Sequence, residues 1–230
     1  MKFGVVIFPG SNCDQDMIYV LRNIMKQQVV ELWHKEKDIQ NCDFIVLPGG
    51  FSYGDYLRSG AIARFSPIME KVMEFADKGG YVLGVCNGFQ VLCEAGLTPG
   101  ALLHNTERKF ICKNVFIKAE NNDTLITSAV PLNKALRIPI AHGEGNYFTD
   151  AATLAQMKAN GQILFRYCDE SGNSTPESNP NGSLENIAGV SNAKKNVFGM
   201  MPHPERASDK EIGNMDGRVL FESIVNTVLA

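Results

Sequence analysis

The sequence predicts a single α/β domain with a doubly wound, mostly parallel sheet, helices on both faces and a few antiparallel strands at one side. Over the first third of the chain, short apolar runs alternate with segments of helical periodicity, which is typical of parallel strands joined by helices. From about residue 101 the pattern changes to short alternating runs between turn residues, which indicates antiparallel strands. A length of 230 residues and a hydrophobic content of 44% suffice for one large core, so we expect one domain over residues 1–230.

The bulk composition argues against several classes of protein. The formal net charge is −3, from 22 basic and 25 acidic residues without a long run of either sign, so binding to nucleic acid is not expected. The six cysteines show no tight framework, and we predict reduced thiols in a cytoplasmic protein. Pro9 cuts off the first apolar run and no later run approaches 18 residues, so we expect a soluble protein without a membrane segment.

The predicted elements follow in chain order. Strands are expected where short runs are apolar or alternate, at residues 3–8, 29–33, 44–47, 81–85, 110–117, 137–140, 162–167, 187–191 and 197–201. Helices are expected after a cap at Ser11, Asn12 or Asp14, from Ser66 to Gly79, after Cys86, from Asp150 and near the carboxyl terminus. The inward face of the last helix is predicted to hold Leu220, Phe221, Ile224, Val225 and Val228. Residues 169–186 are rich in turn residues, and we predict a hairpin turn at Asn181 and Gly182.

Cys86 lies at the junction of a predicted strand and a predicted helix. An apolar run ends at this cysteine, and Gly84 and Gly88 stand two residues to either side of it. Glycines in this arrangement allow the chain to reverse tightly, which is the pattern of a nucleophile elbow with sulfur in place of oxygen. A helix N-terminus behind Cys86 would favour the thiolate. The alternative is a small buried hydrophobic residue, but such a cysteine does not require the paired glycines.

His203 is the candidate base for this thiol. It follows the apolar run at 197–201 and precedes Pro204 and Glu205, so a carboxylate lies two residues away on a chain that the proline stiffens. A nucleophilic cysteine needs a base, and the base needs a group that fixes its tautomer. We therefore predict a Cys86, His203, Glu205 triad; the alternative is a surface histidine beside a carboxylate. A metal site made from the same three residues is not expected, because no cysteine pair has the close spacing of zinc sites.

Several segments together resemble the class I glutamine amidotransferases. The residues that carry the resemblance are the elbow at 84–88, Gln90, the Pro48, Gly49, Gly50 loop and the His203, Pro204, Glu205 ending. The likeness covers essentially the whole chain. Through residues 9–14, 49–65, 141–145, 179–183 and 199–206 it extends to the small glutaminase subunits of purine-biosynthetic synthetases.

The resemblance implies a function for several residues. Cys86 would attack the side-chain amide of glutamine, His203 would carry the proton to the leaving ammonia, and Glu205 would orient His203. The backbone amides of Gly50 and Asn87 would form the oxyanion hole. Gln90, His142 and Gly143 would hold the glutamine substrate.

The resemblance also implies partners. The ammonia would pass to a large ATP-dependent synthetase subunit, with a small accessory subunit in the same complex. No metal or cofactor is expected in this chain, and ATP and Mg²⁺ would bind the synthetase. No phosphate-binding glycine motif follows any strand, so this chain should not bind the nucleotide itself. Residues 51–58 and 169–186 are the predicted contact loops. The alternatives are the glutaminase subunit of another synthetase, a peptidase-like or chaperone-like relative, and a noncatalytic binding module.

Overall fold

The structure is a computed structural model that describes residues 1–229, with the side chains of residues 1–226. Its strands are β1 Lys2–Ile7, β2 Gln28–Trp33, β3 Phe44–Leu47, β4 Tyr81–Val85, β5 Ala101–Leu103, β6 Ile111–Ala119, β7 Leu136–His142, β8 Asn146–Phe148, β9 Ile163–Cys168, β10 Ile187–Ser191 and β11 Val197–Met200. Its α-helices are α1 Asp14–Tyr19, α2 Pro67–Asp77, α3 Asn87–Glu94, α4 Ala151–Ala159 and α5 Arg218–Leu229.

Nine strands form one mixed sheet in the order β2, β1, β3, β4, β11, β10, β9, β6, β7. The five strands from β2 to β11 pair in parallel, and every pairing from β11 to β7 is antiparallel. Strands β5 and β8 form a separate antiparallel pair. The predicted mostly parallel sheet with antiparallel strands at one side is confirmed, and β4 and β11, which precede Cys86 and His203, are neighbours within it.

Two apolar clusters cover the two faces of the parallel half. In β1, Phe3 and Val5 belong to one cluster and Val6 belongs to the other, because successive side chains of a strand point to opposite faces. Buried residues of α1 and α5 pack into the first cluster, and those of α2 pack into the second. The helices therefore lie on both faces, as the doubly wound prediction requires.

Local signals were misleading at two positions. Cys13, with no side-chain capping bond, precedes α1 in place of the three predicted caps, and a π-helical segment, Val20–Ile24, follows that helix. Asn181 and Gly182 do not make a two-residue hairpin turn, because 18 residues separate β9 from β10 and the side chain of Asn181 is buried. The predicted single domain stays a prediction, and the side chain of Val228 lies outside the described residues. Leu220, Phe221, Ile224 and Val225 are buried as predicted.

All six cysteines are free thiols, as the sequence predicts. No helix among residues 1–229 combines the length and the apolar character needed to cross a membrane.

Candidate active site

Cys86 occupies a strained turn between β4 and α3. Its backbone angles are φ 51° and ψ −107°, a region that residues with a side chain rarely adopt. The amide of Cys86 donates to the carbonyl of Met200 at 2.8 Å, so β11 holds the turn from its other side. Strain of this kind costs on the order of 1–3 kcal/mol and is typical of functional sites. The backbone is therefore that of a nucleophile elbow.

Gly84 and Gly88 make this turn possible because they let three backbone segments approach closely. A Cβ on Gly84 would lie 2.6 Å from the carbonyl carbon and oxygen of Gly88. A Cβ on Gly88 would lie 1.9 Å from the carbonyl oxygen of Leu47 in β3. These contacts are with backbone atoms, which cannot rotate away, so both positions require glycine.

His203 and Glu205 form a buried pair at the same edge of the sheet. The ring Nδ1 of His203 lies 2.6 Å from Oε1 of Glu205, and the two side chains are 1% and 0% exposed. The amide of His203 donates to the carbonyl of Pro139 at 2.9 Å, which fixes the backbone that carries the ring. Since a carboxylate only accepts, Nδ1 carries a hydrogen, and Nε2 is the nitrogen that can gain or lose a proton.

The charges around His203 favour its protonated form. Burial lowers the pKa of His203, but the carboxylate of Glu205 and the sulfur of Cys86 outweigh burial and raise the pKa well above its usual value. Nε2 of His203 is buried and makes no hydrogen bond of ordinary geometry with any described residue. Cys86 and His203 line one cavity of about 160 Å³. The predicted triad residues are thus brought together, and the thiol and the imidazole face the same space.

The Pro48, Gly49, Gly50 loop forms another wall of that space. A Cβ on Gly49 would lie 2.7 Å from Cε1 of His203, so the ring packs against this glycine. The loop is held by a bond from the Phe51 amide to the carbonyl of Gly10 at 2.9 Å. Gly50 lines the cavity together with Cys86.

A second cavity of about 170 Å³ opens beside Cys86. It is lined by the three predicted substrate residues, Gln90, His142 and Gly143, and by Gly50, Phe51, Asp55, Ser59, His104, Phe110, Ala141 and Glu144. The three predicted binding residues and Cys86 therefore line the same cavity.

Gln90 and His142 have different hydrogen-bonding states. Both polar atoms of the Gln90 side chain are hydrogen-bonded within the protein. Nε2 donates to the carbonyl of Glu144 at 2.6 Å, and Oε1 accepts from Nδ2 of Asn87 at 2.9 Å. His142 is neutral at ordinary pH, since burial and the charge of His203 lower its pKa to about 4. Its Nδ1 donates to Oδ1 of Asn105 at 3.1 Å, and its buried Nε2 has no partner among the described residues. Gln90 positions the loop, while His142 offers a free acceptor.

Sequence reasoning did not identify Cys13 as a neighbour of His203 and Glu205. Arg206 lies next to its thiol, with Nη2 to Sγ at 3.1 Å, and also donates from Nε to Asp16 at 3.0 Å. Ligand atoms of Cys13, His203 and Glu205 lie within 4.8 Å of one another, so this group could hold a soft metal ion. His203 and Glu205 are already bonded to each other through Nδ1 and Oε1. The sequence signal for Cys13 was weak, since it stands in a loop without periodicity.

The site combines a cysteine on a strained strand-to-helix turn with a nearby imidazole that is bonded to a carboxylate. This arrangement is typical of cysteine-dependent enzymes that cleave amides by acyl transfer. The fold adds an α/β sheet whose strands β4 and β11 end at this site. Sequence comparison gives the family. The model of the CobB/CobQ-like glutamine amidotransferase domain matches residues 1–219. The chain therefore belongs to this family of glutamine amidotransferases, which confirms the predicted class of enzyme.

Individual relatives are similar over the full length. Phosphoribosylformylglycinamidine synthase subunit PurQ of Koribacter versatilis is 58% identical over 228 residues, which are 99% of each chain. The protein of the same name from Moorella thermoacetica is 57% identical, over 98% of this chain and 96% of that one. A chain in the solved structure of PurLQS from Thermotoga maritima is 43% identical, with a TM-score of 0.86 and coverage of 99% and 98%. A further glutamine amidotransferase from Thermotoga maritima, 16% identical over 97% of this chain and 90% of that one with a TM-score of 0.55, supports the fold alone.

Proposed function

We propose that this chain is the glutaminase subunit of a phosphoribosylformylglycinamidine synthase. The observation that carries the proposal is full-length identity of 58% and 57% to relatives of that name, together with a cysteine elbow facing a His–Glu pair. The chain would hydrolyse L-glutamine to glutamate and ammonia. A separate synthetase would use the ammonia to convert formylglycinamide ribonucleotide to its amidine in purine biosynthesis.

The catalytic cycle follows from the positions of three side chains. The Cys86 thiolate attacks the side-chain carbonyl carbon of glutamine and forms a tetrahedral adduct. The His203 imidazolium gives its Nε2 proton to the amide nitrogen, the carbon–nitrogen bond breaks, and ammonia leaves a glutamyl thioester. Neutral His203 then takes a proton from water, which attacks the thioester and releases glutamate. Glu205, bonded to Nδ1 at 2.6 Å, holds the ring orientation and stabilises the imidazolium in both steps.

The remaining residues bind and stabilise. The backbone amides of Gly50 and Asn87 would stabilise the oxyanion, a contribution of about 3 kcal/mol per donor in comparable sites. Gly50 lines the cavity with Cys86, and Asn87 is the first residue of α3. Gln90, His142 and Gly143 line the cavity in which the glutamine would lie.

We propose two partners in a cytoplasmic complex, which are a small accessory subunit and a large synthetase subunit. A solved structure named PurLQS contains a chain that aligns with this one at a TM-score of 0.86, which supports such a complex. The contact loops would include residues 51–58, where Tyr56 and Leu57 are 73% and 91% exposed, and residues 169–186. No cofactor would bind this chain, and ATP and Mg²⁺ would bind the synthetase.

The test is transfer of the amide nitrogen. Glutamine labelled at its side-chain amide is supplied to the reconstituted complex with formylglycinamide ribonucleotide and ATP, and the amidine product is analysed by mass spectrometry. The label should reach the product. Cys86→Ala should abolish glutamine-dependent synthesis while synthesis from free ammonia persists. A labelled product formed equally well by Cys86→Ala, or transfer only to a different synthetase, would refute the proposal.

A further inference from the structure

The cavity of about 170 Å³ beside Cys86 is lined by two carboxylates. Asp55 and Glu144 both line it, together with Cys86. Asp55 comes from the loop after β3 and Glu144 from the loop between β7 and β8, so tertiary folding brings them together. No described residue that lines this cavity is a lysine or an arginine.

Ser59 links the two carboxylates. Its backbone amide donates to Oε2 of Glu144 at 3.3 Å, and its side chain is hydrogen-bonded to Asp55. Oδ1 of Asp55 also accepts from Nδ2 of Asn87 at 3.2 Å. These donors are neutral, so they orient the carboxylates without neutralising them. An anionic pair in a concave site costs free energy unless a cation binds there.

The basic side chains near the cavity are hydrogen-bonded to other groups or exposed to solvent. Arg58 forms a two-point ion pair with Glu94 at 2.6 and 2.7 Å, on the outside of the loop. His104 lies 3.5 Å from Oε1 of Glu144, but its side chain is 71% exposed. Burial raises the pKa of Asp55, and the negative charge of Glu144 raises it as well. The electrostatic field inside the cavity thus favours a positively charged ligand group.

A third acceptor lines the same cavity. His142 is 3% exposed, and its Nε2 has no partner among the described residues. Since Nδ1 of this neutral ring donates to Asn105, Nε2 is an acceptor. An unpaired buried acceptor is destabilising until a ligand donor reaches it. A primary ammonium group has three N–H donors and one positive charge, which matches an anionic cavity rich in acceptors.

We propose that Asp55 and Glu144 form the subsite that binds the α-ammonium group of the substrate and so restricts the enzyme to amides of α-amino acids. This inference rests on the proposed glutaminase function and deepens it. Ser59 is the positioning residue that sets the separation of the two carboxylates. The amide to be cleaved then lies toward Cys86, and the charged end of the substrate lies toward Asp55 and Glu144.

The variants Asp55→Asn and Glu144→Gln test the subsite because they remove charge and keep shape. Asp55 has φ 53°, and asparagine tolerates this left-handed conformation better than other residues with side chains. The matched controls are Asp77→Asn and Glu74→Gln on the exposed face of α2, where Glu74 pairs with Lys71. All variants are assayed as full-length chains in the reconstituted complex.

Two kinds of measurement separate binding from chemistry. Loss of one charge-assisted contact should raise KM for glutamine about 10- to 100-fold in each subsite variant, with kcat changed by less than about 5-fold. Inactivation by a glutamine-like diazoketone that carries an α-ammonium should slow by a similar factor. Alkylation of Cys86 by iodoacetamide, which has no ammonium, should keep the wild-type rate. Glutaramate, which lacks the α-amino group, should be used equally poorly by wild type and variants.

The outcomes are distinguishable. Wild-type KM in both subsite variants, or an equal loss of iodoacetamide and diazoketone reactivity, would overturn the subsite and leave the glutaminase function intact. A wild-type complex that consumes no glutamine would instead overturn the proposed function on which the subsite rests.

Discussion

Replacement of Glu205 by glutamine tests the link between buried charge and catalysis. The carboxylate accepts from Nδ1 of His203 at 2.6 Å, and both side chains are essentially unexposed. Glutamine has nearly the same shape but no charge. Its amide can also donate to Nδ1, which would place the ring hydrogen on Nε2, the atom that accepts the proton of Cys86 in the proposed mechanism.

The expected loss can be worked out from the contact. A charge-assisted hydrogen bond contributes about 1.5–3 kcal/mol, which corresponds to about 10- to 150-fold in rate. Where the wrong tautomer is also populated, the loss reaches about 10⁴-fold, as in other enzymes with a buried acid behind a histidine. We expect kcat for glutamine hydrolysis by Glu205→Gln to fall within this range. Glu74→Gln, which removes an exposed carboxylate, should change nothing.

The pH dependence gives an independent readout. Glu205 raises the pKa of His203, so its removal must lower that pKa. In the proposed mechanism ammonia departs only when His203 is protonated, so kcat/KM should fall as pH rises through this pKa. The alkaline limb of the profile should move to lower pH in Glu205→Gln. Unchanged kcat together with an unmoved alkaline limb would refute the assignment of Glu205.

The same pair should make stability depend on pH. The folded-state pKa of His203 lies above the unfolded value of about 6.5, so its contribution is fully present below about pH 6.5 and is lost as pH rises through the folded value. Glu205→Gln should therefore destabilise the fold more at about pH 6 than at about pH 9. Thermal unfolding at the two pH values measures this difference, and an equal loss at both would contradict it.

Two further substitutions test the backbone contacts that support the site. Gly88→Ala should destabilise the fold by about 3 kcal/mol or more and abolish glutaminase activity, because the new Cβ would lie 1.9 Å from the carbonyl oxygen of Leu47. Urea unfolding measures the loss of stability. A variant as stable as the wild type would show that the turn is not tight. Asn181→Ala should lower the free energy of unfolding by about 2–4 kcal/mol and raise KM several-fold. The buried side-chain amide of Asn181 donates to the carbonyl of Gly145 at 2.8 Å and accepts from the backbone amide of Ser183 at 3.1 Å. Thermal unfolding and steady-state kinetics measure the two effects, and unchanged stability and KM would contradict the prediction.

The elbow was predictable from sequence because its determinants are local. Gly84 and Gly88 are needed by a turn that they themselves flank, so their spacing around Cys86 carries the signal. His203 was predictable for a related reason. It follows a short apolar strand, and in a parallel sheet the carboxyl ends of strands meet at one edge.

Other parts of the site could not be predicted because their determinants are distant in sequence. Glu144 meets Ser59 across 85 residues, and Cys13 meets Arg206 across 193 residues. No periodicity or turn signal marks such loop contacts. Asn181 shows how a local signal can mislead, since asparagine followed by glycine favours a hairpin turn, yet its side chain is buried under the loop that holds Gly145.

The most direct test of the account is to trap the covalent intermediate. The complex is mixed with glutamine, quenched in acid within one turnover, digested and analysed by mass spectrometry for a glutamyl group. The account predicts a glutamyl thioester on Cys86 in the wild type, and none in Cys86→Ala. A glutamyl group on another residue, or glutamine hydrolysis by Cys86→Ala at the wild-type rate, would contradict it.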